Sequence, residues 1–319
     1  MRKSSLWVLA IVMTICLGAC SAEVDRTGEA SAKVSGGVET PPAASASASE
    51  GTNGGEPAKE LTAEQTSAPL LDTAVLERGA FGFAAEDGKQ LLASQAEGSS
   101  EQWSSFDLAI GHNGQLLKIK YNKEQKATEA DNGRQTAQNF ANQQGQLFEV
   151  VEGQAEPNET YYLIAAQSVK PEMLLSITDQ RSRQAAADVK AAIAKSKNRG
   201  VEKLWPLEDI GQEGNTLYLV QFERQGKEML ASLALQTADG FVFQDYPAEF
   251  NESSTWRVDD GGEVMPEMFS FLFAAKTAEG IVLGVKWMGA EGENVSILSE
   301  KDGKFSELAL SYGRYMSPA

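Results

Sequence analysis

Between residues 70 and 319 of this 319-residue chain, short runs of alternating apolar and polar residues are cut repeatedly by X-Gly pairs. That rhythm restricts the fold more than any other feature. The plainest instance is FDLAIGHNGQLLKIKY, residues 106–121. Asn-Gly between two alternating runs favours a two-residue hairpin turn, because both central positions need positive φ. A turn at Asn113-Gly114 would pair Ile110 with Leu117, Leu108 with Ile119 and Phe106 with Tyr121 on one face, and set Asp107 against Lys120 on the other.

The same device recurs. Asp87-Gly88 follows FGFAAE, Asp239-Gly240 separates MLASLALQT from FVFQDY, and Glu279-Gly280 separates FSFLFAAKT from IVLGVKW. A turn at Asp302-Gly303 would pair Ile297 with Leu308 and Val295 with Leu310, and one at Gln225-Gly226 makes residues 216–246 a three-stranded meander. Short strands at this spacing predict a mainly β fold of antiparallel meanders and hairpins, sandwich-like or barrel-like. A propeller is disfavoured because the sequence between turns has no fixed period. One long central α-helix interrupts the pattern. It is expected to run from an N-cap at Thr178 or Asp179 to Asn198, with Gly200 as its stop and Ala186, Val189 and Ile193 as its apolar stripe. A shorter helix is expected around residues 134–142. Residues 70–319 then form either one domain or two lobes, 70–178 and 201–319, joined by a helix over 179–199.

The first residues are of another kind. Arg2 and Lys3 precede an apolar run from Leu6 to Ile15 broken only by Thr14. About ten residues is half of the roughly twenty a membrane span requires, and suits the core of a signal peptide over residues 1–19. The run ends in Leu17-Gly18-Ala19-Cys20, which resembles the lipobox of bacterial lipoprotein precursors. The resemblance implies diacylglycerol on the Cys20 thiol, cleavage ahead of it, and anchoring by lipid on the extracytoplasmic face of the cell membrane. Two or more acyl chains make such an anchor stable where one does not. Both cysteines of the chain, Cys16 and Cys20, lie here, so the mature chain would hold no free thiol, disulfide or thiolate metal site. From Ser21 to Pro69 there is no aromatic residue, and Val24, Val34, Val38 and Leu61 are the only larger aliphatics. Residues 20–69 therefore read as the lipidated cysteine and a disordered tether rich in Ser, Ala, Gly and Pro, able to span roughly 40 Å as a coil.

Charge and residue supply narrow the chemistry. The chain carries 28 basic and 45 acidic residues, a net charge of −17, which argues against nucleic acid and against broad adhesion to anionic membranes. Its one histidine, His112, falls at the tip of the expected hairpin and reads as an exposed loop-end residue. With no second histidine and no cysteine, His-based zinc sites and Cys–His nucleophiles are excluded. No Gly-rich phosphate loop precedes a helix. A pair of carboxylates could hydrolyse a glycosidic bond, but the sequence selects no pair.

Three features are candidates for binding. The loop NESSTWRVDDGGEV, residues 251–264, could offer Asp259, Asp260 and Glu263 to calcium beside Trp256. Its spacing departs from a calcium-binding loop, and a plain surface loop is the simpler reading. Around the helix, Arg181, Arg183, Lys190, Lys195, Lys197, Arg199 and Lys203 stand against only Asp188 and Glu202. Such a strip could meet a wall polymer, anionic lipid heads or an acidic partner. The simpler reading is a solvated face whose C-terminal half complements the helix dipole. Of Trp103, Trp205, Trp256 and Trp287, the last lies in an apolar strand and is expected in the core. The expected function is that of a membrane-anchored extracytoplasmic lipoprotein, a binding or interaction module at the cell envelope with no cofactor or metal. Its partners would be the membrane, through the lipid, and an envelope protein or cell-wall polymer. The alternatives are a secreted carboxylate-dependent hydrolase and a non-catalytic structural envelope protein.

Overall fold

A computed structural model describes residues 69–93, 100–211 and 214–317. The signal peptide, Cys20 and all but the last residue of the tether lie outside the described residues. After a one-turn helix α1 (Thr73–Leu76) the alternating runs become strands β1 (Ala80–Ala84) and β2 (Gln90–Ala93). A short α2 (Ser100–Ser104) follows, then β3 (Leu108–Gly111), β4 (Gln115–Gln125), β5 (Gly145–Glu152) and β6 (Thr160–Ile164). These six strands close into an antiparallel barrel in the order β1-β2-β5-β4-β3-β6, with β6 returning to β1.

The chain continues through β7 (Ile177–Asp179), α3 (Ala187–Lys197), β8 (Val201–Ile210), β9 (Asn215–Phe222), β10 (Glu228–Thr237) and β11 (Gly240–Glu249). It ends with β12 (Phe269–Lys276), β13 (Ile281–Gly289), β14 (Gly292–Lys301) and β15 (Lys304–Tyr315). Together they make a nine-stranded sheet ordered β12-β13-β14-β15-β11-β10-β9-β8-β7. Two antiparallel meanders thus meet at β11 and β15, which touch in parallel at a single pair, Phe243 and Lys304. At the other end Leu175 N donates to Ala274 O of β12 at 2.8 Å, just before β7 begins. The sheet therefore curls around one apolar core, to which Leu207, Leu219, Leu233, Val242, Phe271, Leu283 and Leu298 contribute from seven strands.

The two β structures share a second core. Phe273, Val282, Val295 and Tyr312 on the outer face of β12–β15 pack with Phe81, Ile110, Tyr162 and Ile164 of the barrel, and the Phe81 and Tyr312 rings stack at 5.7 Å. Strands at this junction are apolar on both faces, as sheets covered on both sides must be. A buried ionic cluster crosses the same junction. Glu293 of β14 accepts from Arg314 Nε of β15 at 2.8 Å and from the Thr160 hydroxyl of β6, while Lys286 of β13 pairs with Glu159. All described residues belong to one compact unit.

Three local expectations change. The β3–β4 hairpin has a three-residue turn, His112–Gly114, with Asn113 in the left-handed region at φ 54°. Ile110 therefore faces Leu116, and Ala109 faces Leu117, one step from the expected register. Both faces here are apolar, with Leu108, Ile110 and Leu116 turned to the junction and Ala109, Leu117 and Ile119 into the barrel. Alternation cannot choose a register when either choice buries a full set. At Asp302-Gly303 the turn is as expected, but a β-bulge shifts the pairing beyond Leu298, so Val295 meets Tyr312 rather than Leu310. The long helix is shorter than expected. Thr178 and Asp179 extend the sheet by pairing with Asp209 and Glu208, and α3 starts only after Ala186, which is extended. Its end at Asn198, left-handed at φ 48°, lies where the sequence placed it. The helix packs through buried Ile193 onto Tyr218, Val220 and Phe222, against the outer face of the second sheet, whereas the chain passes from barrel to sheet earlier, between Ile164 and Ile177.

Candidate functional site

The short β7 leaves a seam. It pairs with only the last three residues of β8, so beyond Asp179, which faces Glu208, its strand does not continue beside Leu207. The segment that follows crosses that gap. Gln180 N donates to Leu207 O at 2.8 Å, and the Arg181 guanidinium then reaches inward. Its Nη1 lies 2.8 Å from Glu208 Oε1, and its Nη2 donates to Phe269 O at the start of β12 at 3.0 Å. One side chain thus ties β8 to β12 across the open edge of the curled sheet. Glu208 faces inward because a β-bulge between Pro206 and Glu208 shifts the alternation, placing it opposite Leu217 of the core.

This carboxyl is 1% exposed, and among the described residues neither its Oε2 nor the buried Nε of Arg181 has a hydrogen-bond partner. Burial pushes the Glu208 carboxyl up to about 7 against the pull of Arg181, with Asp179 and Asp209 reinforcing the rise.

Outside the seam lies a pocket of about 510 Å³. Residues 181–185 form one wall, the first turns of α3 with Ala187 and Lys190 another, and Leu204, Trp205 and Pro206 of β8 the floor. Three cations, Arg181, Arg183 and Lys190, line it, and no carboxylate does. Arg183 reaches Asp209 at 3.4 Å and the Thr216 hydroxyl at 3.2 Å, and among the described residues Lys190 reaches the Glu202 carbonyl alone, at 3.3 Å. Ala186 gives α3 no side-chain cap, and Asp188 in the first turn, which accepts from Val189 N at 2.9 Å, offsets the positive end of its dipole. Trp205 is half-buried against the core of the sheet and presents the remainder of its ring to the pocket.

Three more cations of the strip are spent within the fold. Lys197 pairs with Asp245 at 2.6 Å and sits over the Phe243 ring, and Lys203 pairs with Glu263 at 2.7 Å. Arg199 donates to the carbonyls of Glu223 and Glu228, both at 2.8 Å. Lys195 lies in the last turn of α3 and is not part of the pocket. The structure therefore gathers three of the seven cations and disperses four.

The loop over residues 251–264 is a self-contained knot. The Asp260 carboxylate accepts from Thr255 N, Trp256 N, Arg257 N and Gly262 N, at 2.6–3.0 Å. Burial alone would raise its pKa, but these four donors hold it below the ordinary carboxylate range. Asp260 is thus occupied by backbone, Glu263 by Lys203, and Asp259 is exposed at φ 60°, so the three do not converge as cation ligands. Trp256 donates its Nε1 to Tyr246 O at 2.8 Å. A cleft of about 440 Å³ lies between this loop and the Gly289–Gly292 turn, but Arg257 there already donates to Gly292 O at 2.8 Å. Trp103 is buried against Phe106 and Phe148. Trp287, expected in the core, is half-buried, with its ring stacked on Phe269 at 4.8 Å. His112 is exposed on the hairpin tip, as its position predicts. Among the described residues, no helix is long and apolar enough to cross a membrane. Family models, curated proteins and solved structures yield no match to the chain.

Proposed function

We propose that this chain is a lipid-anchored extracytoplasmic binding module that holds a polyanionic cell-wall polymer at the pocket of Arg181, Arg183 and Lys190. One observation carries the reading: on a protein of net charge −17, three cations converge on a concave site that no carboxylate lines. A field of that sign, surrounded by acidic surface, selects for an anion and rejects neutral or cationic solutes. Arginine forks match the paired oxygens of carboxylate and phosphate groups, and the Trp205 ring offers an apolar face to the backbone of a repeat unit. A concave pocket of this size suits one unit of a chain polymer better than the flat surface of an acidic protein. The Leu17–Cys20 resemblance and the composition of residues 21–69 support attachment at the membrane with reach toward the wall. The hydrolase alternative gains nothing from Glu208, whose carboxylate is turned onto Arg181.

The test is binding of a poly(glycerol phosphate) chain to the full-length protein, with Lys190→Glu and Lys195→Glu compared. Lys190→Glu is expected to weaken binding about tenfold or more, as reversal of a charge close to a bound anion should, while Lys195→Glu stays within about twofold of wild type. Equal losses in both variants would mean diffuse attraction to the helix. No binding by the wild type would refute the proposal.

A further inference from the structure

We infer that Glu208 is a specificity-setting residue for this pocket, an internal carboxylate that competes with the bound anion for Arg181. The inference rests on the pocket being an anion site and adds the group that governs its strength. Arg181 stands between two environments. Its side chain is 25% exposed on the pocket side, and its Nη1 is 2.8 Å from a carboxylate that is 1% exposed. A guanidinium carries five donors in a rigid fork. Of these, Nη1 serves Glu208 at 2.8 Å and lies 3.4 Å from Asp179, Nη2 serves Phe269 O, and among the described residues the buried Nε–H has no acceptor. Donors remain for an incoming oxyanion, but the charge that would attract it is neutralised while Glu208 is ionised.

Protonation of Glu208 leaves the guanidinium in place through Phe269 O and removes the nearer and more buried of its two carboxylates, the exposed Asp179 remaining at 3.4 Å, so that more of its positive field reaches the pocket. The groups that act on Glu208 from the elements around it are few. Asp179 comes from β7, Asp209 from β8 itself, and Arg181 from the segment between β7 and α3. From β9 its opposite residue is Leu217, and Thr216 is held by Asp209. From β12 only the Phe269 carbonyl takes part, through Arg181. Arg183 bears on the set through Asp209. Burial pushes the Glu208 carboxyl up to about 7, so the exchange falls within the range an envelope protein meets. The sign follows: affinity for an anion is higher below pH 7, where Glu208 is neutral, and lower above it.

The experiment titrates the full-length protein with poly(glycerol phosphate), whose phosphodiester charge is constant from pH 5.5 to 8.5. Wild-type affinity is expected to fall about tenfold across that range. Glu208→Gln is expected to bind at the wild-type acid limit with no such fall. In a 15N-labelled chain without polymer, the Arg181 Nε–H resonance should titrate near pH 7 in wild type and stay fixed in Glu208→Gln. That signal also reports whether the variant retains its fold. Binding that is flat with pH in wild type, or that keeps its slope in Glu208→Gln, would overturn the inference while leaving the anion site standing. Absence of binding at every pH would overturn both.

Discussion

Replacing Glu293 by Gln should cost this protein more than any exposed substitution, because Glu293 is the only anion fully enclosed in the ionic cluster at the junction of the two β structures. Its side chain has no exposed surface, and Arg314 beside it is 1% exposed and Lys286 7%. Arg314 donates Nε to Glu293 Oε1 at 2.8 Å and Nη2 to Asn158 O at 2.7 Å, and lies over the Phe83 ring at 5.0 Å. Lys286 Nζ is 3.6 Å from Glu293 Oε2 and also pairs with Glu159, which is far more exposed. Gln keeps the shape and an oxygen for the Thr160 hydroxyl, but leaves two buried cations facing one half-solvated carboxylate. Removing one partner of a buried ion set costs about 3–5 kcal/mol. For a folded region of this size that corresponds to a fall in Tm of about 6–20 °C.

The pH dependence separates charge from shape. Burial alone would raise the Glu293 pKa, but Arg314 and Lys286 hold it below the ordinary range. A carboxyl depressed in the folded state stabilises fully above its unfolded value of about 4.3 and loses that contribution as pH falls through its folded value. The difference between wild type and Glu293→Gln, read by chemical denaturation with tryptophan fluorescence, should therefore be constant from pH 8 to about 5 and shrink below about 4. A difference under ~1 kcal/mol at pH 7, or one undiminished in acid, would show that apolar packing alone holds the junction and that the electrostatic reasoning is wrong.

Two further substitutions test the framework away from the pocket. Asp260→Ala leaves Thr255, Trp256, Arg257 and Gly262 without their common acceptor, so amide exchange across 255–262 should accelerate by a local loss of about 1–3 kcal/mol; unchanged protection would mean that the Trp256 and Arg257 contacts alone fix the loop. Gly292→Ala would place a Cβ 1.9 Å from Arg314 O at φ 153°, and should lower the denaturation midpoint by about 3 kcal/mol or more, whereas a neutral result would show that the β14–β15 end can separate freely.

The mainly β architecture was legible because its turns carry chemistry that few other contexts demand. Asp302-Gly303 closes β14 on β15 with Lys301 opposite Lys304, and residues 216–246 do form a meander. Register was legible only where one face is wet. The FDLAIGHNGQLLKIKY hairpin is buried on both sides, so its pattern permits two answers, and the turn at Asn113 chooses the one that composition alone does not favour. The start of α3 was misplaced because Thr178 and Asp179 are good caps in isolation, while the edge of β8 offers their backbone a ladder instead. Half of the candidate site was visible as a row of cations, yet its governing acid was not. Glu208 sits in VEKLWPLEDI, where alternation counted from Trp205 turns it out and alternation counted from Ile210 turns it in; the bulge at Leu207 lets both sets reach the core.

The basic strip divides by what each cation already holds. A cation that reaches a carboxylate of the sheet or several of its carbonyls stabilises the fold whether or not a ligand exists; Lys197, Arg199 and Lys203 are of this kind, and Arg183, at 3.4 Å from Asp209, is so in part. Arg181 is shared: removing it would open the β8–β12 seam as well as the pocket, so a loss of binding in Arg181→Ala would say nothing about contact with an anion. Lys190 is different, since among the described residues its side chain contacts a carbonyl at 3.3 Å that it can leave without uncovering a buried charge. Reversal of Lys190 therefore measures the pocket, substitution of Glu208 measures what restrains it, and the two effects should add only if Arg181 does not move between them.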